Sequence, residues 1–313
     1  MAKALRMLEK IRRDQVSGAS VLANEAASCL LAFLEERKGA PPERIREGLV
    51  ELGCALVTAL PGNGPTFNLV NSLLLRMEGA EESDQLARIA RGHITAWLQA
   101  SQVALREIAA TVGALIRDGD TVFTHSYSSS VFAGLKQAKA ADRRFRTIVT
   151  ESRPLLEGRT MARELASLGL PVTLVVDAAA PTLVAESDLV LFGAVMVTED
   201  FIVNKVGTYA LALAARHEQI PVYAVSELSK CLPRTLTRGF PTERQPDEVW
   251  ARAPRTVDVR NFQFEAVPHD LFTGVATEQG VLTTADLRTY IAEELASAGV
   301  ASVLASGGPG AWP

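Results

Sequence analysis

The sequence predicts an α/β protein in two parts: a helical domain over residues 1–117, then a parallel-sheet domain over 118–313. Three observations lead there. The first part carries apolar residues at three- and four-residue spacing with few strand formers. At RDGDTVFTHS (117–126) that period gives way to a short β-rich run. From there strand-like and helix-like stretches alternate to near the end of the chain.

In the helical part, MAKALRMLEKIRRDQ (1–15) reads as a charged amphipathic helix rather than a leader segment. ASVLANEAASCLLAFLEER (19–37) is helical by its spacing, and PPERIREGLVELGCALVTAL (41–60) begins with prolines suited to a helix start. PGNGPTFNLVNSLLLRMEG (61–79) opens on a turn and runs into another helix. The stretch from 82 to 116 is long and amphipathic. Gly119 and Asp120 then form a turn. Strands are expected at 121–126, 146–152, 171–178, 188–195 and 221–227, and helices at 128–141, 157–168, 205–218 and 284–298. Repeated βα units imply a parallel sheet covered on both faces. Right-handed crossovers make it Rossmann-like. The tail ASVLASGGPGAWP (301–313) is expected to be partly disordered.

Composition excludes several function classes. Of 313 residues, 48% are hydrophobic, enough for a sizeable core, and the net charge is −4 with no long Lys/Arg tract. Direct nucleic-acid binding is therefore not expected. Arg143, Arg144 and Arg146 read as a solvated connection. The three cysteines lack a CxxC pattern and the four histidines lack metal-ligand spacing, so neither a disulfide scaffold nor a metal site is expected. No apolar run approaches the roughly 18 residues of a membrane span. The expected setting is the cytoplasm, and no cofactor is implied. Glycine-rich nucleotide fingerprints and the GxSxG elbow are both missing.

In open parallel sheets, ligands sit beyond the carboxyl ends of the strands. Those ends carry THSYSSS (124–130), TESRP (150–154), VVDAA (175–179), FGAVMV (192–197) and SELSK (226–230). Ser126, Ser128, Ser129 and Ser130 offer hydroxyls and N–H groups at a helix start, either to a phosphate or as an ordinary N-cap. Arg153 suits bidentate phosphate binding or an ion pair with Glu151 or another carboxylate. Asp177 suits sugar hydroxyls or capping of a backbone turn. Asn204 and Lys205 stand together at what reads as a turn, with Lys205 a compact cation suited to phosphate. Ser229 and Lys230 form a further donor set. His125 is either a general acid/base or, more simply, a satisfied strand-end histidine.

The segments THSYSSSVFAGLKQA, VTESRPLLEGRTMARELASLGLPVTLVVDAA, NKVGTYALALAA, PVYAVSELSK and NFQFEAVPHDLFTGVATEQGVL resemble, in order and spacing, one superfamily. It holds methylthioribose-1-phosphate isomerase, ribose-1,5-bisphosphate isomerase, and the alpha, beta and delta subunits of initiation factor 2B. SGASVLANEA and GPTFNL extend the resemblance into the helical part. It implies a homodimer or higher assembly joined through the C-terminal domain. For the isomerases it implies conversion of an aldose 1-phosphate to a ketose, with a Cys and an Asp as the acid/base pair and an Asn-Lys holding the substrate. Here Asn204, Lys205, Gly207 and Thr208 match. The Cys position is Ser126 and the Asp position is Val195. A phosphate-binding Arg is Gly64, and an Arg-Gly-Ala turn reads Ser17, Gly18, Ala19.

Proton transfer between adjacent carbons needs a group that titrates near working pH. Serine does not, and valine exchanges no proton. Ser126, and Asp200 or Glu199 from the VTEDF loop, are the remaining catalytic candidates. The departures resemble the alpha subunit of initiation factor 2B, which by the resemblance also lacks the pair and binds a sugar phosphate or nucleoside monophosphate. Three readings follow from the resemblance. The first is a phosphorylated-sugar or nucleoside-monophosphate binder that does no isomerisation, using Asn204, Lys205, Arg153, Ser128, Ser129, Gly18, Ala19 and Lys230. The second is an active aldose–ketose isomerase. The third is a scaffold acting through a homodimer face at 262–282.

Overall fold

The computed structural model describes residues 2–14, 17–60, 62–79, 82–236 and 243–292. The tail at 301–313 and the part of the expected last helix beyond Ala292 lie outside the described residues. The chain packs as two compact units, one of Met1–Val103, Ser229–Phe240 and Ile291–Pro313, the other of Ala104–Leu228 and Pro241–Tyr290.

The first unit holds helices α1 (Ala2–Arg13), α2 (Ala19–Glu36), α3 (Pro42–Ala59), α4 (Gly64–Met77) and the start of α5 (Ser83–Leu115). Asn63 starts α4: its side-chain oxygen accepts from Thr66 N–H at 3.0 Å, and its amide donates to the Ala19 carbonyl at 3.1 Å, tying α4 to α2. Gly53 lets α3 lie close on α4, since a Cβ there would come 2.7 Å from Val70 Cγ1. The α4 residues Phe67, Leu69, Val70, Leu73 and Leu74 are buried. Each contributes about 1.5–3 kcal/mol of burial.

The second unit runs β1 (Thr121–His125), α6 (Ser129–Ala140), β2 (Arg146–Thr150), α7 (Glu157–Ser167), β3 (Val172–Val175), α8 (Ala180–Val184), β4 (Leu189–Gly193), β5 (Met196–Val197) and β6 (Phe201–Lys205). It continues with α9 (Thr208–His217), β7 (Val222–Val225), α10 (Asp247–Trp250), β8 (Phe264–Pro268), β9 (Gly274–Thr277), β10 (Gly280–Leu282) and most of α11 (Thr284–Ala292). Among the described residues a seven-stranded sheet has the order β10-β9-β7-β4-β1-β2-β3. Its pairs are parallel except β9–β10. Alternate side chains of β1 feed opposite cores. Val122 packs with Ile108, Val112, Val131 and Leu191 on one face. Phe123 packs with Val190, Phe192, Leu211 and Ala212 on the other. The structure is helical at its N-terminus and α/β with a parallel-dominated sheet thereafter, as the sequence predicts.

Two expectations are corrected. Asn204 and Lys205 are not in a turn leaving the sheet. They end strand β6 of a separate three-stranded antiparallel sheet, β5-β6-β8. All five residues of Phe201-Ile-Val-Asn-Lys205 are buried, and this β-branched run is strand-forming. The helix expected from 205 therefore starts only at Thr208, after Gly207, whose φ of +105° breaks the strand. The strands β8, β9 and β10 were also not anticipated, because short pieces such as GVAT and GVL carry little periodic signal.

A candidate ligand site at the carboxyl edge of the sheet

The parallel strands β3-β2-β1-β4-β7-β9 reverse direction of succession between β1 and β4. A crevice forms at such a switch point, outside the strands' carboxyl ends. Ser126 leaves β1 with φ +66°. Ser128 then caps α6, its hydroxyl accepting from Val131 N–H at 3.3 Å. Gly193 ends β4, and a Cβ there would lie 2.7 Å from Ser128 Cβ and 3.8 Å from Asn204 Oδ1. A bare backbone at 193 is what lets Ser128 and Asn204 flank the same spot. Asn204 is held in turn by Thr208, with its amide donating to Thr208 Oγ1 at 3.0 Å.

Beneath this crevice runs a directed hydrogen-bond chain. His125 Nε2 lies 2.9 Å from the Val206 carbonyl, so that nitrogen carries the proton. His125 Nδ1 then accepts from Thr150 Oγ1 at 2.6 Å. Thr150 Oγ1 accepts from Ser152 Oγ at 2.9 Å, and Ser152 Oγ accepts from Ser126 N–H at 2.8 Å. Every member is satisfied. Burial pushes the His125 imidazole down to about 4, so it is neutral near pH 7. His125 is thus the satisfied strand-end histidine rather than an acid/base. Ser126 and Ser152 both take positive φ, as does Leu156 just before α7. Such left-handed non-glycine residues cluster where surrounding bonds enforce a particular backbone path.

Lys205 is buried, at 2% side-chain exposure, and its Nζ donates to Glu157 Oε1 at 3.0 Å. Glu157 is the first residue of α7. It reaches this place because Gly158 presses against β2: a Cβ on Gly158 would come 1.7 Å from the Thr150 carbonyl oxygen. The second oxygen, Glu157 Oε2, is buried and makes no hydrogen bond. Lys205 is therefore neutralised within the chain, which changes its expected role as a bare phosphate-binding cation. A second compensated cation lies in the same unit. Arg244 binds Glu248 through Nε at 3.0 Å and Nη2 at 2.6 Å, and donates from Nη1 to Gln263 at 3.0 Å. Asn261 adds a bond to Glu248 at 2.9 Å. The Arg244 guanidinium holds the Glu248 carboxyl below its usual range.

The start of α9 is also occupied. Glu265 Oε1 accepts from Gly207 N–H and Tyr209 N–H, each at 2.8 Å. Burial nevertheless pushes the Glu265 carboxyl up. A carboxylate of the chain itself thus sits where a helix N-terminus would attract an anion. The α6 start, with Ser128 and Ser129, has no such internal carboxylate among the hydrogen bonds of the described residues.

The predicted site residues separate accordingly. Ser128 and Asn204 meet beside Gly193, Ser126 and Ser129 lie next to Ser128 in the chain between β1 and α6, and Lys205 turns to Glu157. Arg153 lies on the adjoining loop, exposed, its backbone N–H donating to Asp177 at 2.6 Å and its guanidinium to the Val249 carbonyl at 3.2 Å. The expected Glu151 partner is taken by Arg159 at 2.8 Å. Asp177 caps the backbone turn, accepting also from Ser152 N–H at 2.8 Å. Asp200 is exposed in the turn just before β6, at the far end of that strand from Asn204 and Lys205. An extended strand of that length places it roughly 15 Å from Lys205 along the chain. Gly18, Ala19 and Lys230 belong to the other unit. There Gly18 precedes α2, the Ala19 carbonyl accepts from Asn63, and Lys230 O lies against Gly64. Glu157, Gly193, Glu265, Arg244 and Glu248 were not singled out from sequence. Gly158 directly after Glu157 was the available signal, since glycine is used where a backbone must pass close to another group.

Among the described residues no helix is long and apolar enough to cross a membrane. Comparison with known proteins sets the geometry in context. The chain is 33% identical over 310 residues to ribose 1,5-bisphosphate isomerase of Archaeoglobus fulgidus, covering 96% of each. Its fold matches the crystal structure of Pyrococcus horikoshii translation initiation factor eIF-2B with a TM-score of 0.76 at 30% identity, over 90% of this chain and 96% of that one. It matches 5-methylthioribose 1-phosphate isomerase of the same organism with a TM-score of 0.72 at 24% identity, over 93% and 88%, a likeness of fold. The model of the Initiation factor 2 subunit family matches residues 15–284, and the chain belongs to that family.

Proposed function

We propose that this chain binds a phosphorylated sugar or a nucleoside monophosphate at the carboxyl edge of its large sheet without isomerising it. The phosphate sits at the start of α6 beside Ser128 and Ser129, and the sugar extends over Gly193 towards Asn204 and Lys205. The observation that carries this is the meeting of Ser128 and Asn204 around Gly193, at the switch point between β1 and β4. Ser126 and Val195 hold the positions where the resemblance implies an acid/base pair. The nearest histidine, His125, is neutral with both ring nitrogens engaged. A proton shuttle worth about 10²–10⁴-fold in rate is thus missing. Arg153 stands by on the adjoining loop for a second anionic group. A cytoplasmic homodimer joined through 262–282 completes the reading, supported by the exposed Phe262 and Val281. Calorimetry with ribose 5-phosphate, ribose 1,5-bisphosphate and AMP tests binding. Silence at millimolar ligand rejects it. Light scattering tests the dimer, which a monomer at micromolar concentration rejects.

The second reading, an active aldose–ketose isomerase, is favoured by one observation: the isomerase relative from A. fulgidus aligns over nearly the whole chain. An NMR assay on ribose 1,5-bisphosphate and methylthioribose 1-phosphate separates the two readings. Turnover that disappears in Ser126→Ala supports the second.

A further inference from the structure

We infer that Glu157 sets the specificity of this edge: paired with Lys205, it receives an uncharged hydroxyl of the bound sugar and keeps phosphate away from Lys205. This rests on the sugar-phosphate reading above and specifies it further. Lys205 Nζ has three N–H donors and, among the described residues, one side-chain partner, Glu157 Oε1 at 3.0 Å. Glu157 Oε2 is buried with none. Spare donors on the ammonium thus adjoin a spare acceptor on the carboxylate. That is the complement of a hydroxyl, which donates one hydrogen and accepts others. A phosphate dianion offers acceptors alone. It would satisfy Lys205 but bring negative charge against Glu157 Oε2 in a site with little water, where like charges repel strongly. The pair carries no net charge, so it gives an incoming anion little electrostatic attraction.

Calorimetry on the full chain tests this with two ligands, ribose 5-phosphate and inorganic phosphate, on wild type and Glu157→Gln. In the variant the amide oxygen takes Lys205 and the amide NH₂ replaces the free acceptor. Ribose 5-phosphate should bind at least ~10-fold more weakly, the scale of a lost hydrogen bond to a charged acceptor. Inorganic phosphate should bind more tightly, because the carboxylate charge is gone. Opposite changes in the two ligands cannot arise from misfolding. Changes of the same sign, or affinities within about threefold of wild type for both, overturn the role of Glu157 while leaving the sugar-phosphate reading intact. Failure of wild type to bind ribose 5-phosphate overturns that reading, and this inference with it.

Discussion

Replacing Lys205 by methionine removes one half of a buried ion pair and leaves the other half stranded. At the 3.0 Å separation of Nζ and Glu157 Oε1, an effective dielectric of about 20 gives an attraction of about 5–6 kcal/mol. Desolvation of both charges offsets most of it, so the pair as a whole adds little to stability. Losing one partner is different. Glu157, at 15% side-chain exposure, is left without its partner and mostly dry. The usual cost of such a break is about 3–5 kcal/mol, and the residual exposure of Glu157 favours the low end, about 3 kcal/mol. Lys205→Met should therefore lower Tm by roughly 6–12 °C, at about 2–4 °C per kcal/mol for a unit of this size. The double variant Lys205→Met with Glu157→Met removes both charges and should recover to within about 1 kcal/mol of wild type. Urea unfolding of the wild type, both single variants and the double variant closes the cycle. A Lys205→Met loss below about 1 kcal/mol, or a double variant as unstable as the sum of the singles, refutes the picture of a mutually compensating buried pair.

Three other outcomes follow from the same geometry. His125 titrates at about 4 when folded against an ordinary 6.5, so below pH 6.5 the unfolded chain binds the extra proton. Stability is then full above pH 6.5 and falls towards pH 4, at up to about 1.4 kcal/mol per pH unit. Melts of wild type against His125→Gln should show that share of the slope vanish. Gly158→Ala puts a Cβ against the Thr150 carbonyl, 1.7 Å away before relaxation. A loss of at least ~2 kcal/mol in urea unfolding is expected, and an unchanged midpoint would contradict the close approach of α7 to β2. Ser126→Cys combined with Val195→Asp restores groups able to titrate where the resemblance places the acid/base pair. NMR turnover of ribose 1,5-bisphosphate should rise by roughly 10²-fold or more over wild type, and equal rates would show that the pair is not what this chain lacks.

Much of the second unit was readable because its parallel strands are short, apolar and separated by amphipathic helices. The runs at 121–126, 146–152, 188–195 and 221–227 each contain the strand observed there. The β5-β6-β8 sheet was not, because FIVNK follows an apolar strand with no glycine or proline between and reads as the run-up to the next helix. That error put Asn204 and Lys205 in a turn, although their place at the carboxyl edge of the sheet was legible from topology alone. Glu157 and Glu265 were invisible for another reason. Their partners, Lys205 and the α9 start, lie 48 and 56–58 residues away, and a single carboxylate at a helix start or in a strand does not reveal so distant a partner. Asp200, a candidate from the VTEDF loop, is exposed just before β6, at the opposite end of that strand from Asn204 and Lys205.

The claim at the centre is that a phosphorylated sugar lies across the ends of β1, β4 and β6. A crystal structure with ribose 1,5-bisphosphate bound tests it most directly. The account predicts one phosphate at the first turn of α6, within hydrogen-bonding distance of the Ser128–Ser129 segment, and a ribose hydroxyl between Lys205 Nζ and Glu157 Oε2. A ligand bound elsewhere, or a phosphate seated directly on Lys205 with Glu157 turned aside, would contradict it.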